Sequence, residues 1–162
     1  MAEEAVLAKS AQWRGRIFRY APLILWIGAI FIASSNTGSM SSTSRFIRPL
    51  LEFLFPATPE EILIVYHGYI RKFAHFAEYF VLAFFAARAF SASSNRFLQK
   101  FWYVFAMLLI AIVATADETN QSFLASRTSS VYDVLLDCAG GLTMILLFAA
   151  ARIYFSGRQN RP

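Results

Sequence analysis

Arg71, Lys72, His75, Glu78 and Tyr79 stand in a segment that is otherwise apolar as far as Phe90. Arg71, His75 and Glu78 are spaced three and four apart, so on a helix they share one face. An imidazole near a carboxylate can carry a proton or hold a ligand, and a guanidinium matches phosphate or carboxylate geometry. Ionisable side chains at membrane depth cost about 2.5–3.5 kcal/mol each on insertion scales, so they turn toward a protein interior and need partners. Two other segments can supply them. Asp117, Glu118 and Gln121 close one apolar run, and Asp133 and Asp137, one turn apart, open the next. Arg127 lies in the loop between these two runs.

These residues predict one shared polar pocket in the outer half of a membrane. Arg71, Lys72 and Arg127 would meet an anion there, while His75, Glu78 and Glu118 are the candidate proton carriers. Tyr79, Gln121, Asp117, Asp133 and Asp137 complete the ligand-binding set. Asp117 and Glu118 fall near a helix C-terminus, where the dipole disfavours acids by about 0.3–1 kcal/mol. They therefore call for cations, with Arg71, Lys72 or Arg127 as candidates. A plainer reading is open for the same residues, in which ion pairs only fix how the helices pack. Asp133, three after Ser130, can complete a helix cap of the S-x-x-D form. Gly140-Gly141 suits a close helix contact, and Cys138 reads as packing. No phosphate-binding loop, dinucleotide fingerprint or zinc-protease motif occurs. Carboxylates and a histidine could hold a hard cation, but no spacing demands one, so neither metal nor cofactor is assigned.

The elements that must position these groups are membrane spans. The chain is 57% hydrophobic and 15% charged, which excludes an ordinary soluble domain. A single cysteine excludes an intrachain disulfide framework. The net charge of +5 would suit nucleic acid, but the basic residues flank the apolar segments, so no nucleic-acid partner is expected. Residues 1–19 form a basic lead. A first span covers Tyr20 to Ala33 and extends a few residues at both ends, since about 20 residues are needed to cross; Pro22 reads as a first-turn proline. A cleaved signal peptide competes with this reading, and the length of the lead favours a retained span.

Arg45 to Phe55 is amphipathic and too short to cross, so it predicts an interfacial helix. Thr58-Pro59-Glu60-Glu61 starts a helix that either runs into the second span, about Tyr69 to Phe90, or breaks at Gly68. Ser91 to Lys100 is read as a polar loop, followed by spans from Phe101 to about Thr119 and from Val131 to about Phe155. A basic tail closes the chain. The expected fold is all-α: an integral membrane four-helix bundle with an interfacial helix in its first outer loop. Residues 20–155 form the membrane domain between the lead and a tail of 156–162. Basic residues gather in the lead, the second loop and the tail, which places both termini in the cytoplasm.

The combination of Arg71-Lys72-x-x-His75-Phe76-x-Glu78-Tyr79, Asp117-Glu118-x-x-Gln121, Arg127, and Asp133 with Gly140 resembles the VanZ-like family of bacterial membrane proteins. Ser34-Ser35 after the first span fits too, and the resemblance runs from about Leu23 to Leu147. Asp137 stands where that pattern usually has asparagine, and Ala125-Ser126 where it often has Pro-Gly. The resemblance implies a multi-pass protein of the bacterial inner membrane and cell envelope, related to a teicoplanin-resistance factor. The expected function is binding of an anionic envelope component, such as a lipid or a cell-wall precursor, linked to glycopeptide tolerance. A membrane enzyme acting on an envelope lipid and a structural or accessory subunit are the alternatives. Protein partners are not indicated.

Overall fold

The computed structural model of the chain describes residues 2–35, 40–123 and 130–159, the side chains of 2–12, 40–42 and 159 excepted. Its helices are α1 (Ala2–Ala33), α2 (Met40–Leu54), α3 (Glu60–Ser91), α4 (Arg96–Lys100), α5 (Trp102–Ser122) and α6 (Val131–Gln159). Among the described residues, four stretches are long and apolar enough to cross a membrane: Trp13–Ala33 in α1, all of α3, all of α5, and Val131–Arg158 in α6. No strand occurs among the described residues. An all-α membrane bundle is thus what this sequence builds, because in lipid only a helix satisfies its own backbone within one segment.

The segment rich in ionisable residues becomes the central helix. α3 touches each of the other five, most extensively α6, then α5 and α1. Lipid tails are as apolar as leucine, so close van der Waals packing and interhelical bonds must hold such helices together. The α3 core is built accordingly from Ala83, Ala86 and Ala87, each fully buried, and opposite them α5 contributes Ala106, Ile110 and Ala114. On α6, a Cβ added to Gly140 would run into the carbonyl oxygen of Phe76, and one on Gly141 would lie 2.6 Å from Ile110 Cδ1. The glycine pair does what its sequence suggested. Large apolar side chains such as Leu25, Phe73, Ile112 and Leu146 remain exposed on all four spans, as a lipid-facing belt requires. Trp26 Nε1 donates to the Glu78 carbonyl oxygen at 2.9 Å and ties α1 to the centre of α3.

Two local features differ from the sequence reading, and one alternative it left open is decided. Pro22 is not a first-turn proline, because α1 begins at Ala2 and carries Pro22 in its interior. A proline has no N–H to give the carbonyl four residues back, here that of Phe18. Arg88 Nη1 of α3 donates to that oxygen at 3.4 Å, which offsets the loss. The polar loop contains a short helix, α4, because the Asn95 side chain accepts from the N–H groups of Phe97 and Leu98 and caps it. α3 runs on through Gly68, whose cost of about 1 kcal/mol in helix propensity is outweighed by the length and packing of the helix.

α2 is the short amphipathic helix expected between the first two spans, with Phe46, Leu50, Phe53 and Leu54 exposed. It is fastened to α3 through Arg48, which bonds Glu52 Oε1 at 2.7 Å and Glu60 Oε1 at 2.9 Å. The hydrogen bond to Glu52 and the charge of Glu60 raise the Arg48 pKa further.

Candidate functional site

Near the end of the bundle where α1 stops and α6 starts, four helices bring polar side chains together. Asp117 of α5 and Asp137 of α6 are both fully buried. Each lies roughly 8–9 Å inside its helix end at 1.5 Å per residue. Asp117 Oδ2 is the hub. Ser34 Oγ donates to it at 2.9 Å, Gln121 Nε2 at 3.0 Å and Tyr79 OH at 3.5 Å. Ser34 comes from just past α1, Tyr79 from α3 and Gln121 from the next turn of α5. Facing them, His75 Nδ1 stands 3.6 Å from Asp137 Oδ1.

This arrangement leaves a definite set of buried atoms unused. Among the described residues, His75 Nδ1, Asp117 Oδ1 and both carboxylate oxygens of Asp137 have no hydrogen-bond partner. A buried polar group without a partner is expensive and calls for a reason. One donor atom each from His75, Asp117 and Asp137 lie within 4.8 Å of one another.

Glu118 is nearly buried too, but its partner is of another kind. Its Oε2 accepts from the backbone N–H of Ser130 at 3.1 Å. Ser130 Oγ in turn accepts from Tyr132 N–H. The capping box suggested for Ser130 and Asp133 is therefore completed differently. The side chain that reaches back to the Ser130 N–H belongs to Glu118 of α5. Among the described residues, the groups beside these acids are neutral donors for Asp117 and the N-terminus of α6 for Glu118, while Arg127, one of the cations expected there, lies outside them. That terminus carries partial positive charge, so Glu118 exchanges an unfavourable dipole for a favourable one.

A cleft of about 470 Å³ opens beside the cluster, between α1, α2 and α3. Ala29, Ile32, Ile47, Ile70 and Ala74 make its wall apolar, while Arg71, His75, Glu78 and Ser34 supply its polar groups. The helical stripe expected on α3 thus exists, with Arg71, His75 and Glu78 on the cleft and Tyr79 turned into the core. Lys72 is exposed and does not line the cleft. Asp133 is half-buried one turn before Asp137. Arg127 lies outside the described residues.

Two residues that had not been singled out stand out, Ser34 within the site and His67 beside it. Ser34 had been noted with Ser35 after the first span as part of the family resemblance, with no role in the site. His67, one turn before Arg71, is buried, with Thr43 Oγ1 3.1 Å from its Nε2 and Ser44 Oγ 3.3 Å from its Nδ1. Extending the i, i+4 stripe backward from His75 through Arg71 reaches His67, so the signal was present. For Ser34 the available signal was its place at the end of a span on the same side as the acids.

Four spanning-length helices around a buried carboxylate and imidazole centre define a polytopic membrane protein with titratable groups enclosed between its helices. Within that class the chain belongs to the VanZ/LLP1 family, whose sequence model matches residues 20–152. No curated protein and no solved structure matches the chain. The matched region contains all of the polar centre, from Ser34 to Asp137.

Proposed function

We propose that this VanZ-family protein binds an anionic, lipid-anchored component of the bacterial cell envelope in the cleft between α1, α2 and α3. The observation that carries this reading is the cleft's composition: an apolar wall with Arg71, His75 and Glu78 along one edge. An acyl or polyprenyl chain suits the wall, and a phosphate or carboxylate head suits the Arg71 guanidinium, which binds such groups through paired hydrogen bonds. His75 and Glu78 orient the head group or move a proton. Lys72 extends the positive charge toward the boundary. The charge pattern supports an outward-facing cleft. Arg19, Arg88, Lys100 and Arg152 flank the opposite end of the bundle, and such residues favour the cytoplasm. On this reading both termini are cytoplasmic, the membrane is the inner one, and a link to glycopeptide tolerance follows from interference with envelope precursors.

Mass spectrometry of lipids retained by protein extracted in mild detergent tests the proposal. An anionic species should be enriched over the bulk membrane, and Arg71→Gln should reduce its retention tenfold or more while the melting temperature stays unchanged. Equal retention by wild type and variant overturns it.

A further inference from the structure

We infer that His75, Asp117 and Asp137 form a binding site for one divalent transition-metal ion of the Zn²⁺ or Mn²⁺ type. The inference starts from the unused atoms. Among the described residues, Asp137 is fully buried and neither of its carboxylate oxygens has a hydrogen-bond partner; Asp117, equally buried, keeps Oδ1 unpartnered, and so does His75 its Nδ1. Hydrogen bonding alone would leave two buried carboxylates and an imidazole facing one another. A dication would neutralise both carboxylates and employ all three groups at once.

The geometry suits an ion. Three helices, α3, α5 and α6, each give one ligand, and the donor atoms lie within 4.8 Å of one another. The 3.6 Å between His75 Nδ1 and Asp137 Oδ1 is too long for a good hydrogen bond. It falls where two donors on one ion belong: bonds of about 2.0–2.2 Å set them roughly 3–4 Å apart. The surroundings of Asp117 also divide its two oxygens. Ser34, Gln121 and Tyr79 all donate to Oδ2, which orients the carboxylate and leaves Oδ1 for coordination. One imidazole with two carboxylates favours zinc, manganese or ferrous iron over calcium or magnesium, which prefer oxygen alone. Three protein ligands are the number found where a coordination position is kept for water or substrate. Ser34 and His75 line the neighbouring cleft as well, so that cleft provides the entry path.

The ion can be tested with no lipid ligand present, so its failure and that of lipid binding are separate results. Full-length protein in detergent, stripped with EDTA, is titrated with Mn²⁺ and followed by loss of the free-ion electron paramagnetic resonance signal. Zn²⁺ content after buffer exchange is measured by elemental mass spectrometry. One ion per chain is expected, with a higher melting temperature that EDTA reverses. Asp137→Asn and His75→Gln should each weaken binding at least tenfold, and Ser34→Ala, through the orientation of Asp117, about tenfold. Should a variant fail to fold, electron spin echo modulation of Mn²⁺ on wild-type protein must show one imidazole nitrogen. The absence of that nitrogen, equal binding by wild type and variants, or a melting temperature indifferent to EDTA and added metal would each overturn the inference.

Discussion

Arg88 gives its Nη1 proton to the carbonyl oxygen of Phe18, four residues before Pro22, across 3.4 Å between α3 and α1. The bond answers a vacancy that the sequence itself creates. Proline cannot donate to the carbonyl four back, and a lipid environment offers no substitute. An arginine near the boundary, its stem along the apolar surface, is suited to the task.

The expected consequence is a coupling between distant positions. Arg88→Leu should lower stability by roughly 0.5–1.5 kcal/mol, the range for interhelical hydrogen bonds in membranes. In a Pro22→Ala background the Phe18 carbonyl regains its own helical donor, and Arg88→Leu should then have little effect. A double-mutant cycle read by thermal or denaturant unfolding in detergent measures this. Strict additivity would assign Arg88 to lipid or solvent instead.

Gly140 yields a sharper contrast. Its neighbour is the backbone of Phe76, with the carbonyl carbon 3.1 Å and Cα 3.2 Å from where a Cβ would stand. Backbone cannot rotate out of the way, so Gly140→Ala should push α6 from α3 and cost about 1–3 kcal/mol. It should also disturb the His75–Asp137 pair, one turn away on the same two helices. Gly141→Ala meets only the Ile110 side chain and should be milder. Gly28→Ala, with nothing within 4 Å, should be neutral or stabilise by up to about 1 kcal/mol through helix propensity. Melting temperatures of the three variants give the ranking, and an equal loss at Gly28 and Gly140 would contradict it.

What the sequence made legible follows from which forces are local. Span existence, helical spacing of Arg71, His75 and Glu78, and the Gly140-Gly141 contact all depend on apolar runs and period, and these are written in consecutive residues. Ser34 and His67 escaped because each acquires its role from a helix far along the chain, Asp117 in one case and the Thr43–Ser44 pair in the other. The same holds for Glu118. A carboxylate at a helix end signals a need for positive charge, yet nothing local says that another helix will start beside it. α4 was hidden for the opposite reason: one asparagine cap over a five-residue helix is too small a signal inside a polar loop. Pro22 misled because proline at the start of an apolar run usually marks the start of a helix, and here the helix extends well before the run.

Glu118 allows its two possible contributions, charge and hydrogen bond, to be separated. Its Oε2 accepts from Ser130 N–H at 3.1 Å and so secures the first turn of α6, the helix that carries Asp137. Glu118→Gln keeps an acceptor oxygen of the same reach and gives up only the favourable charge at a helix N-terminus, worth about 0.3–1 kcal/mol. Glu118→Ala leaves the Ser130 N–H without an acceptor, at about 1–3 kcal/mol where the group is shielded from water. The expected order of melting temperature is therefore wild type, then Gln close behind, then Ala well below. Ser130→Ala, which removes the side-chain acceptor for Tyr132 N–H, should cost about 1 kcal/mol. It should be less than additive with Glu118→Ala, since both loosen the same turn. If Gln and Ala fall equally, the charge and not the hydrogen bond holds α6 in place. If Gln folds like wild type but loses lipid retention, the carboxylate acts in the site itself, a role that a purely structural cap would not have.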